Sequence, residues 1–314
     1  MAAEQSREIK ARLHSIRNTK KITKAMELVS GAKMRRAVGA TLATRSYCTL
    51  MWEIMQRLRS NVQLKNTDTT YRFLNPIAPV TDQPIKTCIV VFTSNRGLCS
   101  SFNSNVAKLA YRYIKEHAQE TVSVIGVGKK GVSLLSTAGI KAKLAYLKDD
   151  TAKTPASIIE LNKHLYEHFS EKEYDKVLIA YTDYKSAISQ AATIKTLFPY
   201  ATESSINIDA GNITDKNIPV SPVLKAPLER QYKYEPNKTK ILDYLIPRIA
   251  EVQLYQALLE SNASEHSARM LAMKNATDAA ADMARTLLLA FNRARQAGIT
   301  QEIAEISAGS AAVT

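Results

Sequence analysis

Three glycines in the middle of the chain have the spacing of a phosphate-binding turn. Gly126, Gly128 and Gly131 form a G-x-G-x-x-G pattern between a predicted strand and a predicted helix, and Asp149 and Asp150 follow about 20 residues later. In dinucleotide-binding enzymes such glycines let the backbone approach a pyrophosphate, and the acidic residue binds the ribose. Here the motif follows the second predicted strand of its domain, and two lysines occupy the turn. We therefore interpret it as a structural turn, with a dinucleotide-binding enzyme as the alternative.

A second candidate for chemistry is the loop from Ser94 to Asn103, which follows the first predicted strand and reads SNRGLCSSFN. Ligands of α/β sheets bind at the carboxyl ends of strands, so Cys99 in this loop is a candidate nucleophile. None of the five histidines is near Cys99 in sequence, and none has the spacing of a metal site or a catalytic triad. We interpret the loop as a tight turn with a buried thiol.

The three cysteines, Cys48, Cys88 and Cys99, form no C-x-x-C pair, so the sequence predicts neither a disulfide framework nor a zinc site. No run approaches the roughly 20 apolar residues that cross a bilayer. The start, MAAEQSREIK, lacks the apolar segment of a signal peptide. We expect a soluble protein of a reducing compartment that docks on a membrane complex.

The chain is strongly basic, with 43 Lys and Arg against 29 Asp and Glu and a net charge of +14. The excess is concentrated in the first 60 residues, which predicts a cationic arm and an acidic partner. A nucleic-acid binder is a further alternative. The arm has no recognisable DNA-binding motif, however, and lysine and arginine are also usual on the solvated face of a coiled coil.

The middle of the chain alternates short apolar runs with turn signals, which is typical of an α/β domain. Continuous apolar runs are characteristic of parallel strands buried on both faces. The sequence predicts a three-layer, Rossmann-like domain over residues 63–237, which includes an extended, Pro-rich connection at 204–236. The predicted strands are 86–93, 122–128 and 176–182, with 192–199 as a candidate for another strand. The predicted helices are 101–117, 130–138 and 155–169.

Both ends of the chain predict long helices, over residues 1–62 and 238–314. No Pro occurs before Pro76 or after Pro247. From Leu242 to Ala294, mostly apolar and small residues recur in alternating steps of three and four for about seven heptads, as in a coiled coil; Gln256 and His266 are exceptions. Because the two arms are at opposite chain ends, we expect the middle domain to return the chain so that they pair antiparallel. The fold class is α/β, a long antiparallel coiled coil plus a central Rossmann-like domain.

The N-terminal arm supplies the expected partner for this seam. Ile9, Leu13 and Ile16 are spaced by four and three, and the pattern resumes after a six-residue step at Ile22, Met26 and Val29. That step predicts a local register slip. The predicted seam residues of the two arms are Met26, Val29, Met270, Met273, Ala280, Ala284 and Leu287.

Several segments together resemble the γ subunit family of rotary ATP synthases. They are IRNTKKITKAMELVSGAKMRRA (16–37), SNRGLCSSFN (94–103), SEHSARMLAMKNATDAAADM (264–283) and FNRARQAGITQEIAEISAGSAA (291–312). The resemblance runs from end to end and implies a noncatalytic rotor shaft without a cofactor. It also implies that the shaft is inserted in a ring of α and β subunits, with the Rossmann-like domain as a foot bound to the ε subunit and the membrane c-ring. Nucleic acid is not an implied partner.

The resemblance further implies which residues meet partners. Contacts with acidic loops of the β subunits are expected at Lys24, Arg35, Arg36, Arg295, Gln296 and Thr300. Ile303 and Ile306 belong to an apolar end that is expected to extend alone into a hydrophobic bearing, with a frayed tail as the rival interpretation. The absence of a transit-like start favours the cytoplasmic face of a bacterial inner membrane over an organelle inner membrane.

Overall fold

The computed structural model describes residues 2–60, 69–75, 84–152, 154–200, 234–235 and 237–313. The predicted extended connection at 204–236 lies almost entirely outside the described residues. The chain divides into two compact units, a helical unit of Met1–Gly31 with Arg269–Thr314 and a larger unit of Ala32–Ala268. The elements, in chain order, are α1 (Ala2–Ser60), α2 (Thr69–Leu74), β1 (Lys86–Phe92), α3 (Phe102–Glu116), β2 (Thr121–Val127), α4 (Lys129–Thr137), β3 (Leu144–Tyr146), α5 (Ala156–Ser170), β4 (Lys176–Tyr184), β5 (Gln190–Phe198) and α6 (Lys238–Val313).

Two very long helices, α1 of 59 residues and α6 of 76 residues, form the two ends of the chain. Pro247 lies inside α6, where its missing N–H removes one backbone hydrogen bond. Helix α1 ends at Ser60 and helix α6 begins at Lys238, and both helices continue from one compact unit into the other. Among the described helices, none has an apolar stretch long enough to span a membrane.

The larger unit contains a five-stranded sheet in the order β3-β2-β1-β4-β5. The pairs β1–β2, β1–β4 and β2–β3 are parallel, whereas β5 runs antiparallel to β4 at the sheet edge. The fold class is therefore confirmed, with a mostly parallel Rossmann-like sheet and long terminal helices. Strand β3 and helix α2 were not predicted, because three and six residues are too few to show a periodic pattern.

Alternate residues of β1 face opposite layers of the larger unit, as the period of a strand requires. Ile89 and Val91 pack with α3 and α4, whereas Cys88, Val90 and Phe92 join a larger core. That larger core includes α5 and also buried residues of α1 and of the first part of α6. The terminal helices are therefore part of this layer of the domain, where the sequence predicted only a separate coiled coil.

In the helical unit, α1 and α6 pair antiparallel. Thr277 donates to the Thr23 hydroxyl at 2.8 Å, and that hydroxyl donates to the Lys20 carbonyl at 3.1 Å. Residues near Arg12 face residues near Leu287, so residue numbers rise along α1 while those of the facing residues fall along α6.

The predicted register slip in α1 is wrong. Ile22 is 61% exposed and Val29 is 57% exposed, so Val29 is not a seam residue. Unbroken steps of three and four from Leu13 instead bring Thr23 and Ser30 into the seam, where both are buried. Small hydroxyl side chains fit a close helix crossing and bond locally, which apolar spacing in the sequence does not reveal.

Candidate functional site

The three glycines of the G-x-G-x-x-G pattern are required by packing around the end of β1. Gly128 has a φ of +104°, and a Cβ added there would lie 2.3 Å from the Thr93 carbonyl oxygen. A Cβ at Gly131 would lie 2.4 Å from Thr93 Cγ2, and one at Gly126 would lie 2.2 Å from Val132 Cγ2. Each glycine is thus explained by the close approach of α4 to strands β1 and β2.

Two of the backbone donors at the start of α4 are already bonded within the protein. Lys130 N–H donates to the Ser94 carbonyl at 3.0 Å, and Gly131 N–H donates to Thr93 Oγ1 at 2.9 Å. In a dinucleotide site, the donors at this helix end would face the pyrophosphate. The turn is scaffold, as the sequence interpretation had it.

The ligand crevice of an α/β sheet lies outside the carboxyl end of the strand where the strand order reverses, which here is β1 between β2 and β4. Part of α6 occupies this edge of the sheet. Ser264 of α6 donates to the Thr182 carbonyl at the end of β4 at 3.2 Å. Lys148, which follows β3, binds Glu265 of α6 at 2.8 Å with both side chains at or below 1% exposure. The domain uses this edge to hold its own helix.

The loop after β1 is a tight turn around a buried thiol. Cys99 is 2% exposed, and Asn103 Nδ2 donates to its sulfur at 3.1 Å. Ser94 is buried beside Cys99, and its hydroxyl oxygen also accepts a hydrogen bond from Asn103 Nδ2. No histidine is among the described hydrogen-bond partners of Cys99, so the geometry supplies no base for a thiolate nucleophile. Burial also raises the pKa of the Cys88 thiol to about 12, which keeps it protonated at neutral pH.

Within the described ranges, no group of three His, Cys, Asp or Glu side chains is placed to hold a metal ion.

The buried polar segment of α6 between Ser261 and Ser267 was not predicted from the sequence. Its signal was a run of polar residues in the middle of a helix that is otherwise patterned as a coiled-coil seam.

The residues expected to meet β-subunit loops are exposed, and they fall into separate groups. Lys24 forms an ion pair with Glu27 of its own helix at 2.9 Å. The antiparallel pairing places Lys24 opposite about residue 276 of α6, about 28 Å of helix from Arg295. Arg35 and Arg36 are exposed on the part of α1 that belongs to the larger unit.

Arg295, Gln296 and Thr300 share one exposed stretch of α6, in which the Thr300 hydroxyl donates to the Gln296 carbonyl at 3.0 Å. Ile303 and Ile306 follow on the same helix and are 59% and 73% exposed. Of the predicted seam residues, Met273 and Ala280 are buried, and the partly buried ones are Met26, Met270, Ala284 and Leu287.

Comparison with known proteins agrees with the resemblance in the sequence. A family model described as ATP synthase matches residues 5–313. The ATP synthase gamma chain of Herpetosiphon aurantiacus is 38% identical over 315 residues, which are 98% of this chain and 98% of the relative. This chain belongs to the ATP synthase gamma chain family. The gamma chain of Anaeromyxobacter dehalogenans (strain 2CP-C) is 36% identical over 318 residues, 98% of this chain and 99% of the relative.

The fold is also similar to that of chains in solved ATP synthase assemblies. A chain of the Euglena gracilis mitochondrial ATP synthase OSCP/F1/c-ring, rotational state 3, matches with a TM-score of 0.63 and 19% identity, over 99% of this chain and 95% of that chain. A chain of the Tetrahymena thermophila mitochondrial ATP synthase central stalk/c-ring has a TM-score of 0.58 and 23% identity, over 81% and 99% of the two chains. Within the gamma chain family, the dinucleotide-binding alternative is not favoured, in agreement with the occupied turn and sheet edge.

Proposed function

We propose that this gamma chain is the central rotor shaft of an ATP synthase. It couples rotation of the membrane ring to conformational change in the catalytic β subunits and catalyses no reaction itself. The observation that carries the proposal is the match to gamma chains along nearly the whole length, in a chain whose two ends pair as antiparallel helices.

The unequal lengths of the paired helices support this function. The Thr23–Thr277 pairing places Ala2, the start of α1, opposite about residue 298 of α6. Beyond that level α6 continues to Val313 without α1 beside it. A shaft with different faces biases otherwise identical catalytic subunits differently, because a partner shifts a conformational equilibrium only by differential contact.

The exposed basic residues fit the proposed contacts with acidic loops of the β subunits. Lys24, Arg35, Arg36 and Arg295 are all solvent-exposed. Attraction between exposed charges is long-ranged, screened by salt and not tied to one geometry, so it holds a turning shaft without locking it. We extend the proposal to α and β subunits around the helix pair, and to the ε subunit and the c-ring at the Rossmann-like domain.

The relatives named above are gamma chains of bacteria, which supports a peripheral subunit on the cytoplasmic face of a bacterial inner membrane. The proposed shaft serves a ring driven by protons or by sodium ions, because the choice of ion belongs to the membrane ring.

Co-expression with α, β and ε subunits tests the proposed function. We expect all four to copurify, and ATP hydrolysis by α and β together to depend on this chain. The purified chain alone should show no turnover. Robust ATP hydrolysis by the chain alone, or failure to associate with α and β, would refute the proposal.

A further inference from the structure

One segment of α6, residues 261–267, is buried on all sides although six of its seven residues are polar. Ser261, Ser264 and Ser267 are 0% exposed, and Glu265 and His266 are 1% exposed. Burying polar groups is unfavourable unless their hydrogen bonds are made, so apolar residues would serve better if this segment only filled space. The bonds that these residues make are therefore the feature to explain.

The loop that follows β3 holds one side of this segment through a charged side chain. Lys148 Nζ donates to Glu265 Oε2 at 2.8 Å and to Ser261 Oγ at 3.0 Å. The Lys148 backbone is itself fixed by Asn95, whose side-chain amide donates to the Lys148 carbonyl at 2.7 Å and accepts from its N–H at 3.3 Å. The lysine is thus anchored to the loop after β1, in the centre of the sheet.

Backbone carbonyls of the same loop hold two more residues of α6. Asn262 Nδ2 donates to the Asp149 carbonyl at 2.8 Å, and His266 Nε2 lies 3.5 Å from the Asp150 carbonyl oxygen. These bonds are made to main-chain atoms, whose positions are set by the fold of the loop.

The other side of the segment is held by backbone carbonyls near the end of β4 and just after it. The Ser264 hydroxyl donates to the Thr182 carbonyl at 3.2 Å, and the Ser267 hydroxyl donates to the Ala187 carbonyl at 2.6 Å. Thr182 lies in β4, and Ala187 lies in the connection from β4 to β5.

The two sets of bonds lie on opposite sides of the helix. At about 100° per residue, the four residues that face the loop after β3 and the two that face the end of β4 are centred about 160° apart around the helix axis. Apolar packing opposes rotation of a helix about its axis only through shape, because the hydrophobic effect is non-directional. Hydrogen bonds depend on angle and distance, so bonds on opposite sides oppose rotation in both directions.

We propose that residues 261–267 of α6 and the loops after β3 and β4 form a torque lock. It prevents α6 from turning within the Rossmann-like domain, and Lys148 and Glu265 are its principal positioning residues. This inference rests on the proposed rotor function, because only a loaded shaft needs such a lock.

The test compares two variants in the complete ATP synthase reconstituted in vesicles. The double variant Lys148→Met, Glu265→Met replaces the ion pair by apolar side chains of similar length, an exchange that is often neutral or stabilising. The control Lys141→Met makes the same lysine change at an exposed position. Three quantities are measured for each variant: the rate of ATP hydrolysis, the ATP-driven membrane potential read with a voltage-sensitive dye, and the thermal unfolding midpoint.

We expect the double variant to hydrolyse ATP within twofold of the wild-type rate. The ratio of its ATP-driven membrane potential to its hydrolysis rate should fall at least threefold. The control should keep both values. A wild-type ratio in a double variant with a wild-type unfolding midpoint overturns the lock. If the double variant fails to assemble, the double variant Ser264→Ala, Ser267→Ala removes the hydrogen bonds on the opposite side of α6. Its ratio should fall in the same way, and a wild-type ratio overturns the lock. Absence of coupling with the wild-type chain refutes the rotor function itself.

Discussion

The buried Lys148–Glu265 pair allows a quantitative test by a double-mutant cycle. Its side chains are 0% and 1% exposed, so water screens the interaction little. Replacing Glu265 by Met leaves the lysine charge buried without its carboxylate, and removing one partner of such a pair costs about 3–5 kcal/mol. Replacing both residues by Met should cost close to zero. The cycle should therefore give a coupling energy of at least about 3 kcal/mol.

Urea unfolding of the full-length chain, followed by circular dichroism, measures the free energy of unfolding of the wild type, both single variants and the double variant. Equal m values for all four proteins are needed for the comparison. Lys141→Met, which changes an exposed lysine, should stay within about 0.5 kcal/mol of wild type. A cost below about 1 kcal/mol for Glu265→Met would show that the pair is not held as described, because a truly buried charge does not tolerate that loss.

Three further predictions concern the Gly128 turn, the apolar end of α6 and the buried Glu260. Gly128→Ala should destabilise the chain by at least about 1 kcal/mol in the same urea assay, because φ is +104° and the Thr93 carbonyl blocks a Cβ. NAD binding should be absent before and after that change, and saturable micromolar binding by calorimetry would contradict the structural interpretation. Ile303→Glu with Ile306→Glu should weaken coupled ATP synthesis severalfold by charging the proposed bearing, whereas Ser307→Glu should not; equal effects would refute the bearing. Burial raises the pKa of Glu260, so its carboxyl group binds a proton more tightly in the folded state than in the unfolded state. The free energy of unfolding should therefore fall as pH rises above the pKa that Glu260 has in the unfolded chain. Glu260→Gln should flatten that fall, measured as unfolding midpoints between pH 4 and 8; an unchanged slope would show that Glu260 is not its source.

The parts of the fold that could be predicted were those with long or continuous patterns. The apolar runs of β1, β2 and β4 identified the central strands, and the heptads identified α6. Strand β3 could not be predicted, because it has only three residues, none of them fully buried, and it depends on β2 for its pairing. The sheet order likewise depends on which strands meet in space.

Polar residues in buried positions account for the remaining differences. Thr23 and Ser30 occupy the helix seam where hydrophobicity pointed to Ile22 and Val29. Whether a polar side chain is buried depends on partners that are distant in sequence, such as Thr277 for Thr23. The same reason hid the buried segment around Glu265, since its partner Lys148 is more than one hundred residues away.

The glycine motif is the opposite case, because its interpretation as a structural turn agrees with the structure although it rested on indirect arguments. Position in the domain and two lysines argued against a cofactor turn. The structure supplies the physical cause. Thr93 lies against both Gly128 and Gly131, and its hydroxyl accepts a hydrogen bond from the Gly131 N–H at the start of α4.

Direct observation of rotation tests the central proposal. Lys108 is exposed on α3, and the native cysteines Cys48, Cys88 and Cys99 are all buried, so Lys108→Cys provides a selective attachment point for a bead. With α and β subunits fixed to a surface, the bead should rotate in one direction when ATP is added and stop when ATP is removed. ATP hydrolysis by the complex while the attached bead remains stationary would contradict the proposed function as the rotor shaft.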